Sequence, residues 1–65
     1  MELIINGQKE MSPPCTVAEL VTRKGLTPGS LVVELNEQII KQQQWQFTQL
    51  NAGDRVELLN FVGGG

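Results

Sequence analysis

Side chains capable of chemistry are sparse in this 65-residue chain, which contains no His, no Tyr and a single Cys. Cys15 is the one intrinsically good nucleophile. It stands just before a helix start, where a thiol pKa can fall, yet no His exists to activate it and neither sequence neighbour is Lys or Arg. The simpler reading makes it a small hydrophobe packed at the helix N-terminus. The carboxylates Glu2, Glu10, Glu19, Glu34, Glu37, Asp54 and Glu57 are spread over separate segments, and no spacing pairs them for acid/base work or for a metal ion. What remains is the run Gly63-Gly64-Gly65. Glycine has the most backbone entropy to lose, so these residues are expected to form a flexible tail. Without Cβ atoms, an extended run of about 10 Å can thread a channel that any side chain would block. The group it would deliver is the Gly65 α-carboxylate. With a pKa of about 3.3–3.7 that group is an anion at neutral pH and a poor electrophile, so its activation must come from outside. Conversion to a mixed anhydride with a nucleotide would open the carbonyl to sulfur or an amine. A partner must supply the ATP site, because the chain has no Gly-rich phosphate loop.

Composition narrows the remaining classes. A net charge of −2 and a pI near 4.8 argue against a protein that tracks nucleic-acid phosphates. One Cys and no His exclude an internal disulfide and a Cys/His zinc site, and no cofactor is implied. The longest apolar runs, Leu3 to Ile5 and Leu31 to Val33, fall far short of the ~20 residues that span a bilayer. The N-terminus turns polar by Asn6 and lacks the basic and apolar regions of a secretory signal. The expectation is a cytoplasmic protein with no membrane association, in a compartment where a lone Cys stays reduced. A hydrophobic content of 40% supports a folded globule. At this length the chain buries only about 60% of the surface its unfolded form exposes, so its stability is expected to be marginal.

The elements that must carry the tail can be placed in order. Asn6-Gly7, which takes positive φ readily, joins strands at Leu3 to Asn6 and Gln8 to Met11, with Met1, Leu3 and Ile5 toward the core. Pro13-Pro14 ends this hairpin. Thr16 and Glu19 form a T-x-x-E capping box, and Cys15 and Leu20 have the spacing of a hydrophobic staple. The helix they begin has the apolar stripe Val17, Leu20 and Val21, possesses Arg23 and Lys24 in its last turn, and stops at Gly25. A turn at Thr27-Pro28-Gly29 leads to a strand over Leu31 to Asn36, with Leu31, Val33 and Leu35 on one face. A short strand at Ile39 to Lys41 follows a connection over Asn36 to Gln38. The glutamine-rich stretch Gln42 to Gln49 is a surface turn in which Trp45 and Phe47 form a lid over the core edge. After a turn at Asn51 to Asp54, a last strand spans Arg55 to Val62, with Val56 and Leu58 opposite Leu59 and Phe61. Helix and sheet each have one apolar side, so they pack as a two-layer α+β domain over residues 1–62, followed by the flexible tail at 63–65.

This order of elements resembles the β-grasp fold of ubiquitin-like proteins, a mixed sheet of four to five strands on one helix. The Asn6-Gly7 hairpin, Val33-Glu34-Leu35-Asn36 followed by Ile39-Ile40, the Trp45 segment, Gly53-Asp54-Arg55-Val56 and the ending Phe61-Val62-Gly63-Gly64-Gly65 look like the ThiS family of thiamine-biosynthesis sulfur carriers. The resemblance covers essentially the whole chain. It implies a protein substrate and not an enzyme. An adenylyltransferase of the ubiquitin-activating type would adenylate Gly65, sulfur from a cysteine desulfurase persulfide would give a Gly65 thiocarboxylate, and thiazole synthase would accept that sulfur. Gly63 stands where some relatives carry another small or apolar residue. Two alternatives share the fold: the sulfur carrier of molybdopterin biosynthesis, which is typically longer, and a ubiquitin-like modifier that ends in an isopeptide bond. A plain interaction module with an inert tail is a third reading. For the carrier, period 2 places Leu59, Phe61, Val62, Val32 and Ile4 on the sheet face opposite the helix, as an apolar docking patch beside the tail.

Overall fold

The computed structural model describes residues 1–61. Five strands form one mixed sheet, in the spatial order β2-β1-β5-β3-β4: β1 (Glu2–Ile5), β2 (Gln8–Met11), β3 (Leu31–Leu35), β4 (Gln38–Ile40) and β5 (Arg55–Asn60). Among the described residues one α-helix, α1 (Val17–Arg23), crosses one face. The α+β expectation is met, with the last strand in sequence at the centre of the sheet. β5 runs parallel to β1, with Ile5 opposite Val56, and antiparallel to β3, with Val33 opposite Leu58.

Two tight turns fix the registers of the outer hairpins. Asn6 and Gly7 take φ of 50° and 80°, and Asn36 and Glu37 take 50° and 72°. Positive φ at both central residues is the mark of the two-residue turn whose twist matches that of paired strands. The second turn therefore needs only Asn36 and Glu37, and β4 begins at Gln38, one residue earlier than the sequence spacing suggests. β1 likewise stops at Ile5 because Asn6 has already entered the turn.

A seven-residue helix is far too short to persist alone, so its ends and its buried face must hold it. Thr16 Oγ1 accepts from the Glu19 amide at 3.2 Å, and the Glu19 carboxylate accepts from the Thr16 amide at 2.8 Å, completing the capping box. At the other end Gly25, at φ 69°, lets its own amide reach the Thr22 carbonyl and that of Leu26 reach Val21. This is the paired closure in which a left-handed residue satisfies the last helical carbonyls. Val17, Leu20 and Val21 are buried against Leu3, Ile5, Val33, Val56 and Leu58, with Leu35 half-buried at the margin.

The glutamine-rich stretch winds into a 3-10 helix over Gln42–Phe47. Trp45 is buried, and its Nε1–H donates to the Ile40 carbonyl at 2.8 Å. Phe47 does not join it as a lid: two residues further round a three-residue turn it points away, and it is 74% exposed. The core residue that sequence reading overlooked is Leu50, which is buried. The chain around it pairs with the start of α1. The Val17 amide donates to the Thr48 carbonyl and the Leu50 amide to the Cys15 carbonyl, so one otherwise unpaired N-terminal amide of the helix is satisfied.

Candidate functional site

The central strand β5 is held on the β3 side up to the point where the described residues end, and on the β1 side as far as Leu58. On the β3 side, Asn60 lies opposite Leu31, and the Phe61 amide donates to the Ser30 carbonyl at 2.9 Å. β1 ends too early to accompany β5 this far, and the Asn6 side chain takes over its role. Asn6 Oδ1 accepts from the Leu58 amide at 2.7 Å, and Nδ2 donates to the Leu58 carbonyl at 3.3 Å. A side-chain amide thus continues the strand ladder where the backbone has turned away. Asn36 does similar work at the other end of β5: its backbone amide donates to the Arg55 carbonyl, and its Oδ1 accepts from the Arg55 amide at 2.9 Å. The last strand was expected to run to Val62. It ends at Asn60, and Val62, Gly63, Gly64 and Gly65 lie outside the described residues.

The sheet face away from α1 is banded, and the register fixes the order of the bands. Toward the end away from Phe61, Glu2 faces Met11, and next to them Lys9, Ile4 and Arg55 share one row across β2, β1 and β5. In the next, Glu57 lies opposite Glu34, which lies opposite Ile39. Leu59 and Val32 then face each other, and Phe61 follows beside Ser30. Leu59 and Phe61 are 46% and 43% exposed, and Val32 is half-buried beside them. The structure therefore brings together Leu59, Val32 and Phe61 of the expected patch. Ile4 stands apart: it lies beside Arg55, four residues back along β5 from Leu59 and roughly 13 Å away at strand rise. The parallel pairing of β1 with β5 causes this separation, and nothing in the sequence announces that pairing. Ile39, 67% exposed on the edge strand, is a neighbour that sequence reading missed. The signal was available, since period 2 sends Ile39 outward when Ile40 packs on the core.

Other chemistry-bearing groups have structural roles. Cys15 is buried, with Sγ 3.6 Å from Ser12 Oγ and 4.0 Å from an Arg23 guanidinium nitrogen. That guanidinium also donates to Ser12 Oγ at 3.0 Å, tying the end of β2 to the helix. Leu58 and Asn60 line an open hollow of about 380 Å³, but the cation there, Lys24, is ion-paired with Glu10 and is not free to hold a phosphate. Among the described residues no group of three or more potential metal ligands converges, and no helix is long and apolar enough to cross a membrane.

A sheet with this strand order, clasping one helix and ending in a central strand, is what the chain shares with known proteins. The family model described as "ThiS family" matches residues 3–65. This chain belongs to the ThiS family. A crystal structure of the thiamine biosynthesis protein ThiS from Geobacter metallireducens superimposes with a TM-score of 0.86 at 30% identity, each chain covered in full. A solution structure of a thiamine biosynthesis protein from the same organism gives 0.82 at 30% identity, covering all of this chain and 88% of that one. A thiazole synthase of Paramagnetospirillum magneticum is 33% identical over 66 residues. The chain spans 20% of the length of that relative. The ubiquitin-like β-grasp reading and the family resemblance drawn from the sequence are both upheld.

Proposed function

We propose that this ThiS-family chain is a sulfur carrier for thiazole formation in thiamine biosynthesis, acting as a protein substrate through Gly65. The reading requires a mature chain that ends at Gly65. An adenylyltransferase of the ubiquitin-activating type joins the Gly65 carboxylate to AMP with release of pyrophosphate. The terminal sulfur of a cysteine desulfurase persulfide attacks the acyl carbon and AMP departs. A thiol then cleaves the resulting S–S bond, leaving the sulfur on Gly65 as a thiocarboxylate. Thiazole synthase takes the sulfur from there. Tethering it to a folded domain keeps a reactive sulfide from diffusing away and lets successive enzymes recognise one surface.

The observation that carries the reading is the family match, which runs through all three terminal glycines. Support for the acceptor comes from the relative named thiazole synthase, which contains a stretch similar to this entire chain. The docking surface is assigned to Leu59, Val32 and Phe61, with Val62 continuing toward the glycines Gly63 and Gly64, and Ile4 contacting only a partner broad enough to reach the opposite end of the sheet. Dependence on ATP and on a reduced sulfur donor supports a cytoplasmic location. The test is incubation with ATP, the adenylyltransferase, a cysteine desulfurase and cysteine, followed by intact mass. The expected product has one oxygen replaced by sulfur. Release of AMP with no sulfur gained would refute the reading, and thiazole formed by thiazole synthase from the loaded chain would fix the pathway.

A further inference from the structure

We propose that Asn6-Gly7 is a latent site of spontaneous covalent modification: the Asn6 side chain closes onto the Gly7 amide, loses ammonia and takes up water whenever the end of β5 releases it. The inference concerns chemistry within this chain and stands independently of the carrier reading.

Asparagine is a chemically labile residue, and the reaction that threatens it is attack by the following backbone nitrogen on its own side-chain carbon Cγ. The asparagines of this chain, Asn6, Asn36, Asn51 and Asn60, precede Gly7, Glu37, Ala52 and Phe61. A β-carbon on the following residue crowds the approach, so Asn6, which is followed by glycine, is the susceptible one. Asn6 and Gly7 are both exposed, so water reaches the turn. In the first step a bond forms between the Gly7 nitrogen and Cγ, the Cγ–Nδ2 bond breaks, and Nδ2 leaves as ammonia with the proton that the Gly7 amide gives up. Water then opens the cyclic imide. Opening at Cγ leaves an aspartate in an ordinary backbone, and opening at the main-chain carbonyl leaves an isoaspartate.

The fold opposes the first step. Asn6 Oδ1 accepts from the Leu58 amide at 2.7 Å, Nδ2 donates to the Leu58 carbonyl at 3.3 Å, and the Asn6 backbone amide donates to the Val56 carbonyl at 2.9 Å. Both side-chain bonds are partly buried, and together they aim Cγ at β5, away from the nitrogen that would attack it. The side chain must abandon both bonds before it can swing toward Gly7. Two hydrogen bonds of ordinary net strength lower the released population about 5–30-fold. The motion that frees Asn6 is the same motion that unfastens Leu58, so the rate of modification reports how often this end of β5 lets go. The change is also one-way. An aspartate sets a carboxylate oxygen against the Leu58 carbonyl. An isoaspartate adds a carbon to the main chain of a two-residue turn whose length is fixed by the pairing of Ile5 with Gln8. Neither product restores the anchor, so the turn converts a transient opening into a permanent loosening.

The test follows the full chain in mildly alkaline buffer by intact mass and peptide mapping, folded and in urea that unfolds it completely. A short unstructured Asn-Gly peptide in the same two solvents corrects for any effect of urea on the chemistry. In the unfolded chain, conversion of amide to acid should begin at Asn6, and Asn6→Gly should lack this fast phase. In the folded chain the conversion should run about five-fold or more slower. At intermediate urea its rate should rise in step with the loss of hydrogen-exchange protection at the Leu58 amide. The modified chain, separated by its added negative charge and returned to native buffer, should melt about 5–15 °C below wild type. Equal rates in the folded and unfolded chains would overturn the inference, as would an unfolded chain that converts first at Asn36, Asn51 or Asn60. So would acceleration at Asn6 while the Leu58 amide stays protected, or a modified chain that melts with wild type.

Discussion

Replacing Asn6 tests whether one side chain holds the end of the central strand. Its amide makes two bonds to the Leu58 backbone, at 2.7 and 3.3 Å, both partly buried. Each is worth about 0.5–1.5 kcal/mol net, and the longer belongs at the low end, so together they contribute about 1–2 kcal/mol. Asn6→Gly removes both while still accepting the φ of 50°. A domain of this size commands on the order of 3–5 kcal/mol, and the loss should lower Tm by about 5–15 °C. Asn6→Asp keeps an acceptor for the Leu58 amide but sets a carboxylate oxygen against the Leu58 carbonyl, and should lose about as much. Asn6→Ala loses the same bonds and, unlike Asn6→Gly, keeps a β-carbon in the left-handed region, so it should fall about 1 kcal/mol below the glycine variant. Urea unfolding followed by the fluorescence of buried Trp45 gives the stabilities, and amide exchange at Leu58 reports the local anchor. If Asn6→Gly unfolds at the wild-type midpoint with its Leu58 amide still protected, the side chain is not continuing the ladder and the reasoning fails.

Three further substitutions probe separate links. Glu37→Gly relieves a non-glycine φ of 72° at the cost of an exposed 3.8 Å ion pair, so the urea midpoint should rise by the equivalent of about 0.5–1 kcal/mol. Thr16→Ala removes the hydroxyl half of the capping box and should cost about 1 kcal/mol, read as a Tm about 4–8 °C lower. Adding one bulky residue after Gly65 should abolish sulfur loading in the mass assay while leaving Tm unchanged; loading at the normal rate would show that Gly65 is not the acceptor.

What the sequence disclosed was local, and what it hid was pairing. The hairpin at Asn6-Gly7, the capping box at Thr16 and Glu19, and the helix stop at Gly25 are each specified by a few adjacent residues, and each stands where its chemistry puts it. Period 2 sorted the faces of β3 and β5 correctly, because one face of each is covered by the helix. No such pattern says that β5 inserts between β1 and β3, so the distance of Ile4 from Leu59 and the meeting of Glu34 with Glu57 were not legible. Leu50 was missed for a related reason. It sits outside any strand or helix, and its burial follows from the isolated pairing of Gln49 with Thr16. Phe47 misled because two aromatic residues two apart look alike in sequence, whereas a 3-10 turn sends them in different directions.

The central position of β5 bears directly on what a partner can do with Gly65. Chain ends ordinarily fray, and a terminal strand on a sheet edge could be peeled away one residue at a time. Here the final strand is flanked by β1 and β3, and its last residues are bonded to Ser30 on one side and, through Asn6, held at Leu58 on the other. An enzyme that grips the residues beyond Phe61 would meet first the bond from Phe61 to Ser30, and from Leu58 inward it would have to break bonds on both sides of the strand. The apolar row of Leu59 and Val32 lies on the same strand pair, within a few residues of that anchor. On the proposed carrier reading, docking contacts and the reactive end would be referred to one element, so a partner that recognises the face would already have fixed where the chain leaves the domain. A carrier that must be engaged by more than one enzyme needs that fixed relation between handle and end more than it needs overall stability, and the placement of β5 supplies it.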